Sequence, residues 1–391
     1  MPVRNSTSSS FHLKLGFMPL LDAAPLIVAQ ELGFFVEEGL TVELIRESSW
    51  ATLRDKVTFG ILDGAHLLAP MPLASTAGFG SVQKPMLTAL SLGLNGNAIT
   101  LSLPLAESLA GSGQPLLCQH PKNSAIALKV CLDKQPQNGR PLTLAVVHPH
   151  SMHHFMLRHW LAVGGIDPDN DVNIVVVPPP MMVSALAQGD IDGFCVGEPY
   201  NGLAQRQNSG QIVLTGYDIW QNAPEKVFGV LQSWAAAHHH EHLQLLRALI
   251  RACQWLDVPE NRSELGALLA RPDYLNIDHE TLSLAVQQMS MALSPELPST
   301  HKHFFRYGAT FPWHSHASWM LDQLVALGMP TVANPSDLIE KVYRTDLYRE
   351  AAASLNLPYP EANHKDEQQH HDEWAMGDLI LGPDQFWRGQ Q

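Results

Sequence analysis

The chain has 391 residues, 45% of them hydrophobic, and a formal net charge of −14, enough for two or three compact units of roughly 100–200 residues. Such an acidic balance argues against direct binding of nucleic acid, which takes a basic face, but leaves room for a small-anion site built from local donors. No stretch approaches the ~20 apolar residues of a membrane span, and the four scattered cysteines, Cys118, Cys131, Cys195 and Cys253, lack CxxC spacing and read as reduced, mostly buried thiols rather than a metal cluster.

In chain order, Leu13–Phe17 predicts a short strand ending at Pro19. Asp22 followed by Pro25 suits a helix start, with Asp22 as the cap, and Gly33 suits its stop. Thr41–Arg46 predicts the next strand, Ser48–Trp50 a turn, Ala51–Phe59 a helix, and an acidic turn leads to Asp63-Gly-Ala-His66. Alternation of strand and helix predicts a parallel α/β sheet.

A second series follows. Gln114–Gln137 predicts a helix centred on Ala125–Leu132, and Leu142–Val147 a continuous apolar run suited to a buried parallel strand. Next come a loop at His148–Ser151, a helix over Met152–Val163 stopped by Gly164-Gly165, and a buried strand at Val172–Val177. The helix Met181–Gln188, the strand Gly193–Val196 and a turn at Gly197–Tyr200 complete the series. Helical periodicity marks Leu243–Leu256, Glu280–Met291, Ala317–Leu327 and Pro335–Tyr348, and the polar tail beyond Pro358 predicts extended or partly disordered chain.

Several positions allow both a structural and a chemical reading. Trp50, between a strand end and a helix, is either a core aromatic or an indole N–H aimed at an anion. Asn95-Gly96-Asn97 reads as a tight turn. The loop His148-Pro-His150-Ser-Met-His153-His154 raises the question of a metal, but its spacing fits no familiar motif and no paired carboxylate or cysteine lies nearby in sequence; backbone N–H groups and an imidazole offered to an anion is the other reading. Lys226 reads as a solvated charge. Arg54-Asp55 reads as a helix-surface pair, His238–His240 with His242 as a solvated helix start, and His314 and His316 as a loop leading into a helix. No GxSxG, P-loop or HExxH is present, so the chain reads as a binder, with no catalytic residue, metal or cofactor assigned.

The segment from Leu13 to Pro72, with SSWATLRD, NGN, PEK, GEPY and FPWHSHASW, resembles the nitrate-binding proteins of bacterial ABC transporters and, equally, the cytosolic nitrate/nitrite sensors of the same fold; the likeness runs from residue 13 to about 350. The resemblance implies a type II periplasmic-binding-protein fold: lobe 1 from 11–100 and 229–355, lobe 2 inserted at 101–228, and a polar tail at 356–391. It implies nitrate or nitrite contacts from Trp50, Asn97, His153 and Lys226, with Ser151 and Glu198 in support. Asn97 stands where the transport proteins carry a longer amide, and His150 and Ser151 stand where the family has glycines. Bicarbonate-binding relatives place an acidic residue near the lysine, and this chain is expected to lack one; lysine offers no acceptor for a hydroxyl, so the site is expected to favour nitrate or nitrite.

The N-terminus MPVRNSTSSSFH carries no apolar signal-peptide core, which leads to the expectation of a cytoplasmic sensor. In that family the ligand-free sensor sequesters an RNA-binding antiterminator protein and releases it when ligand closes the lobes. The alternative is the solute-binding component of a nitrate or related small-anion ABC importer. An enzyme on this fold, of the kind that makes a thiamine precursor with a pyridoxal phosphate lysine, finds no matching motif.

Overall fold

The computed structural model describes residues 11–80, 82–111, 121–134, 140–294 and 297–387. The first sheet holds β1 (Phe11–Phe17), β2 (Leu40–Arg46), β3 (Gly64–Leu68) and β4 (Met86–Ser91); the second holds β5 (Asn97–Ser102), β6 (Thr143–Val146), β7 (Asn173–Val176), β8 (Gly193–Gly197) and β9 (Gly210–Thr215); β10 (Lys226–Leu231) returns to the first. Their strand orders, β2-β1-β3-β10-β4 and β7-β6-β8-β5-β9, match position for position. In each sheet the first three strands run parallel and the fourth is antiparallel to both neighbours. Two α/β lobes therefore repeat one topology.

The chain crosses between the sheets twice, from β4 to β5 and from β9 to β10. Asn95 and Asn222 adopt left-handed backbone (φ 56° at each) in these crossings. They are tied together: Asn95 Nδ2 donates to Asn222 Oδ1 (3.3 Å), and Ala223 N donates to Asn95 Oδ1 (3.0 Å). A buried pair of amides satisfied by each other fixes the two crossings side by side.

Two apolar clusters form the core. One packs the helices Ala24–Glu31, His239–Leu256 and Thr345–Ser354 on the first sheet through residues such as Leu15, Ile27, Leu246 and Leu249. The other runs from Leu53, Val57 and Leu67 of the first lobe into Leu144, Phe155, Leu157 and Trp160 of the second. The lobes also meet directly, since Leu21 N donates to Glu198 O (2.8 Å) and Tyr200 Oη donates to Pro19 O (3.1 Å). They are closed on each other.

Several expectations change. The strand β3 carries His66 in a run with every residue buried, where only a turn was expected. The strand at Asn173–Val176 is a sheet edge with Val176 exposed, because β7 pairs only with β6. Pro335–Tyr348 is two helices, Pro335–Val342 and Thr345–Ser354, broken where Arg344 N donates to Thr88 O (2.8 Å) rather than continuing the helical ladder. His314 and His316 sit in the first turn of the helix His314–Ala326, not before it. The helix predicted over Gln114–Gln137 spans Pro121–Asp133 and gives way to a turn at Lys134, residues 114–120 (Cys118 among them) and 135–137 lying outside the described residues. Cys195 and Cys253 are buried free thiols, and Cys131 is half-buried.

The polar tail folds back on the body. It forms a hairpin of β11 (Trp374–Met376) and β12 (Leu379–Leu381). Asn222 Nδ2 then donates to Pro383 O (2.7 Å), and Trp387 N donates to Ile219 O (2.8 Å). The Phe386 ring sits 5.5 Å from that of Trp220 and 4.5 Å from that of His159. With the Trp319 ring 5.9 Å away as well, aromatic packing against three separate elements helps hold a polar segment in place.

Candidate functional site

Sequence and fold place each candidate side chain at the end of an element facing the cleft. Ser49 caps the helix Trp50–Thr58, its Oγ accepting from Thr52 N, so that Trp50 lies at the first helical position. Asn97 is the first residue of β5 and Lys226 the first of β10, directly after the two crossings. Ser151 caps Met152–Val163, accepting from His154 N (3.1 Å) while its own hydroxyl donates to His148 O (2.6 Å). That consumes Ser151 as a cap and sets His153 in the first turn.

Trp50, Asn97, His153 and Lys226 are all buried; Trp50, His153 and Lys226 gather around one cluster, while the Asn97 side chain turns to Met156, its Nδ2 lying 4.0 Å from the Sδ. Lys226 Nζ lies 5.7 Å from the Trp50 ring centroid, 2.7 Å from Glu225 Oε2 and 3.0 Å from Asp22 Oδ2. His153 Nε2 is 3.2 Å from the same Glu225 Oε2. Asn97 pairs across the sheet with Gly197, and a methyl group on Gly197 would come within 2.9 Å of Asp22 Oδ2.

Four members were not read from the sequence: Glu225, beside the lysine where no acid was expected, and Asp22, Lys302 and His66. Asp22 is not a helix cap: it lies in the short turn Leu21–Ala23, makes no capping bond, and bridges two ammonium groups instead. The second ammonium is Lys302, whose Nζ donates to Asp22 Oδ1 (2.5 Å) and to Asn95 O (3.2 Å). Gly96, at φ 98°, makes room for it, since a Cβ there would sit 2.8 Å from Lys302 Cδ. His66 packs edge-on to Trp50 with ring centroids 5.2 Å apart. A histidine inside the apolar run Gly64–Leu68 was the available signal; Lys302, in an irregular stretch, gave none.

The pocket is thus richer in charge than the sequence suggested. Lys226, expected as its one positive group, is joined by Lys302, and two carboxylates face it where none was expected. Glu198 is buried beside them, with Oε2 accepting from Gly202 N (3.2 Å).

Burial and the neighbouring charges set the protonation states. Burial would raise the Asp22 carboxyl, but Lys226 and Lys302 overcome it and hold Asp22 well below the usual carboxylate range. Glu225 moves the other way: burial raises it, the Lys226 attraction is partly offset by Asp22, and the net shift is upward. Burial pushes Glu198 up to about 7. Lys226 is penalised by burial yet held protonated by Asp22 and Glu225. His66, lowered to about 3, and His153, also lowered strongly, are neutral because burial and the lysines disfavour imidazolium.

Unused donors and acceptors complete the description. Among the described residues, Trp50 Nε1, both nitrogens of His66, His153 Nδ1, Asn97 Oδ1 and Glu225 Oε1 have no hydrogen-bond partner. Buried polar groups are almost always satisfied, so a cluster of unpaired ones in one cleft calls for a small polar occupant.

The rest of the histidine-rich loop lies apart from this cluster. His150 stacks on Phe79 (centroids 4.7 Å apart), and His148 Nδ1 accepts from His150 N (3.0 Å). Arg54, read as a surface group, is buried, and its charge helps lower both histidines. No group of three or more His, Cys, Asp or Glu side chains among the described residues could hold a metal ion. His242 is buried rather than solvated.

The chain is 40% identical over 359 residues to the nitrate import ATP-binding protein NrtC of Synechocystis sp., covering 90% of this chain and 52% of that protein. It is 37% identical over 348 residues to the bicarbonate transport ATP-binding protein CmpC of the same organism, covering 88% and 50%. The chain thus spans about half the length of these relatives. Among solved structures, the periplasmic nitrate-binding protein NrtA from Synechocystis PCC 6803 superposes with a TM-score of 0.82 at 30% identity, covering 91% of this chain and 93% of that one. The NMT1-like family profile matches residues 6–270. With that match spanning most of its length, the chain belongs to the NMT1-like family, as a homologue of the nitrate-binding proteins of ABC transport.

Proposed function

We propose that the chain is the anion-binding unit of an ABC importer for nitrate, nitrite or a related small oxyanion. The observation that carries this reading is the ring of unpaired buried polar atoms, contributed by both lobes, around Lys226. Indole and ammonium donors suit an ion whose oxygens are all acceptors, and a ligand bridging both lobes favours their closure. The likeness to a nitrate-binding protein supports nitrate. Exclusion of bicarbonate no longer follows from a lack of acceptors, because Glu225 and Asp22 could accept from its hydroxyl. The proposed task is to bind, not to catalyse.

Identity to half of an ATP-binding transport protein favours a second reading, in which the unit reports anion occupancy to the ATP-binding machinery. The same closure would serve a cytoplasmic sensor that sequesters an RNA-binding antiterminator. The relatives named above are transport proteins, however, and they favour the importer. Titration calorimetry with nitrate, nitrite and bicarbonate tests the reading: binding of nitrate or nitrite is expected, and heats indistinguishable from dilution for both would overturn it.

A further inference from the structure

The buried cluster contains two ammonium groups, Lys226 and Lys302, and two carboxyl groups, Asp22 and Glu225. With both carboxyls ionised their charges cancel. Every one of these groups is almost wholly buried, so an arriving anion would leave an uncompensated negative charge inside the closed protein, which is costly. We propose, on the basis of the anion-binding reading, that Glu225 takes up a proton when the anion binds, and thereby limits the site to ions of a single negative charge.

The geometry selects Glu225 over its neighbours. Asp22 has an ammonium on each oxygen, Lys226 on Oδ2 and Lys302 on Oδ1, and its turn is locked to the second lobe through Leu21 N and Glu198 O. It has neither reason to bind a proton nor freedom to leave. Glu225 has one oxygen, Oε2, on Lys226 and His153, while Oε1 has no hydrogen-bond partner. A proton on Oε1 would turn that carboxyl from a repelling charge into a donor toward the anion. The groups facing Glu225 are Lys226 beside it, Asp22 from the turn, Lys302, His153 from the helix Met152–Val163 and the Cys195 thiol from β8. His153 and Glu198 are the rivals for the proton. Burial and Lys226 oppose an imidazolium on His153. Glu198, raised to about 7 by burial and resting on Gly202 N rather than on a lysine, is already protonated toward about pH 6 and has no proton to gain there.

Charge selectivity follows. One proton on Glu225 neutralises one negative charge; sulfate or hydrogen phosphate in its doubly charged form would need a second, which Asp22 cannot take and which Glu198, raised to about 7 by burial, already holds toward about pH 6. A monovalent oxyanion is accommodated and a divalent one is not.

Calorimetric titration of the intact chain with nitrate, repeated in HEPES and in Tris between about pH 6 and about pH 9, reads the proton directly. The apparent enthalpies are expected to diverge between buffers toward the alkaline end, approaching about one proton taken up per nitrate, with affinity falling about tenfold per pH unit there. Glu225→Gln is expected to bind nitrate with no buffer dependence and a flat pH profile, and to lack the protonated-carboxyl band that nitrate induces in the wild-type infrared difference spectrum. Sulfate is expected to bind wild type at least roughly a hundredfold more weakly than nitrate. Equal enthalpies in both buffers with nitrate binding intact would overturn the proton uptake and leave the anion site standing. Absence of binding at every pH would overturn both. Should Glu225→Gln not fold, the wild-type buffer comparison decides the matter alone.

Discussion

Replacing Lys226 by methionine probes the centre of the cluster. The side chain keeps its length and apolar stem but loses the ammonium that contacts Glu225 and Asp22 at 2.7 and 3.0 Å. Breaking a buried ion pair by removing one partner costs ~3–5 kcal/mol, since the other charge stays buried. At about 2 °C per kcal/mol for a protein of this size, the melting temperature should fall by ~6–10 °C. Losing a charged hydrogen bond to the ligand costs a further ~1.5–3 kcal/mol of binding, a roughly 10- to 150-fold loss of nitrate affinity. A second variant separates the two effects: Lys226→Met with Glu225→Gln removes the orphaned charge, so much of the melting temperature should return while affinity stays low. Differential scanning calorimetry and nitrate titration on both proteins give the measurements. If Lys226→Met melts like wild type and binds nitrate as tightly, the buried cluster is not the site. A glutamate at 226, by contrast, would place a third carboxyl beside two others and should damage the fold itself.

Other outcomes are expected on the same grounds. Trp50→Phe keeps the buried ring but removes the Nε1 donor, so nitrate affinity should drop about tenfold with little change in melting temperature; unchanged affinity would show the indole to be packing alone. Burial lowers His242 and His148 to about 3 and His150 to about 4. The unfolded chain binds their protons near the ordinary 6.5, so stability should fall as pH drops through that window; melting curves of His242→Gln should show a shallower loss, and an identical slope would remove His242 from the account. Phe386→Ala takes a half-buried ring from between His159, Trp220 and Trp319. It should cost ~2 kcal/mol, less than the ~3–5 of a fully buried phenylalanine, as read by urea unfolding, and a null effect would mean the tail merely rests on the body.

Local signals carried some residues into view and left others hidden. Trp50 was legible in part, since its place between a strand end and a helix allowed an indole donor as well as a core aromatic. The histidine-rich loop offered an imidazole to an anion, but only the family resemblance singled out His153, and the serine caps that set both residues emerged with the structure. Asn97 and Lys226 could be placed only through the family resemblance, since a turn amide and a solvated lysine are the ordinary readings of such residues. Asp22 misled for a definite reason: an acid before a proline is a good helix start, and only its tertiary pairing with Lys226 and Lys302 shows what it does. Lys302 lies 280 residues from its partner Asp22 in a stretch with no period to read. The edge position of β7 was likewise invisible, because an apolar run does not say how many neighbours its strand will have. Pattern reveals what a residue does for its own element, and tertiary pairing decides the rest.

Asn97 and Lys226 begin the strands that follow the two crossings, and Asn95 and Asn222 rivet those crossings together. A door moves least at its hinge pin. If the lobes swing about this rivet, Asn97 and Lys226 shift little, while Trp50 and His153, on helices of opposite lobes, travel farthest. An incoming ion would then dock first on a nearly stationary pair beside the pivot and be capped afterwards by the moving indole and imidazole. Its capture would be a sequence in time, with charge recognition preceding enclosure. Stopped-flow tryptophan fluorescence should resolve this as a concentration-dependent phase followed by a concentration-independent one, and a single phase linear in nitrate at all concentrations would contradict that order.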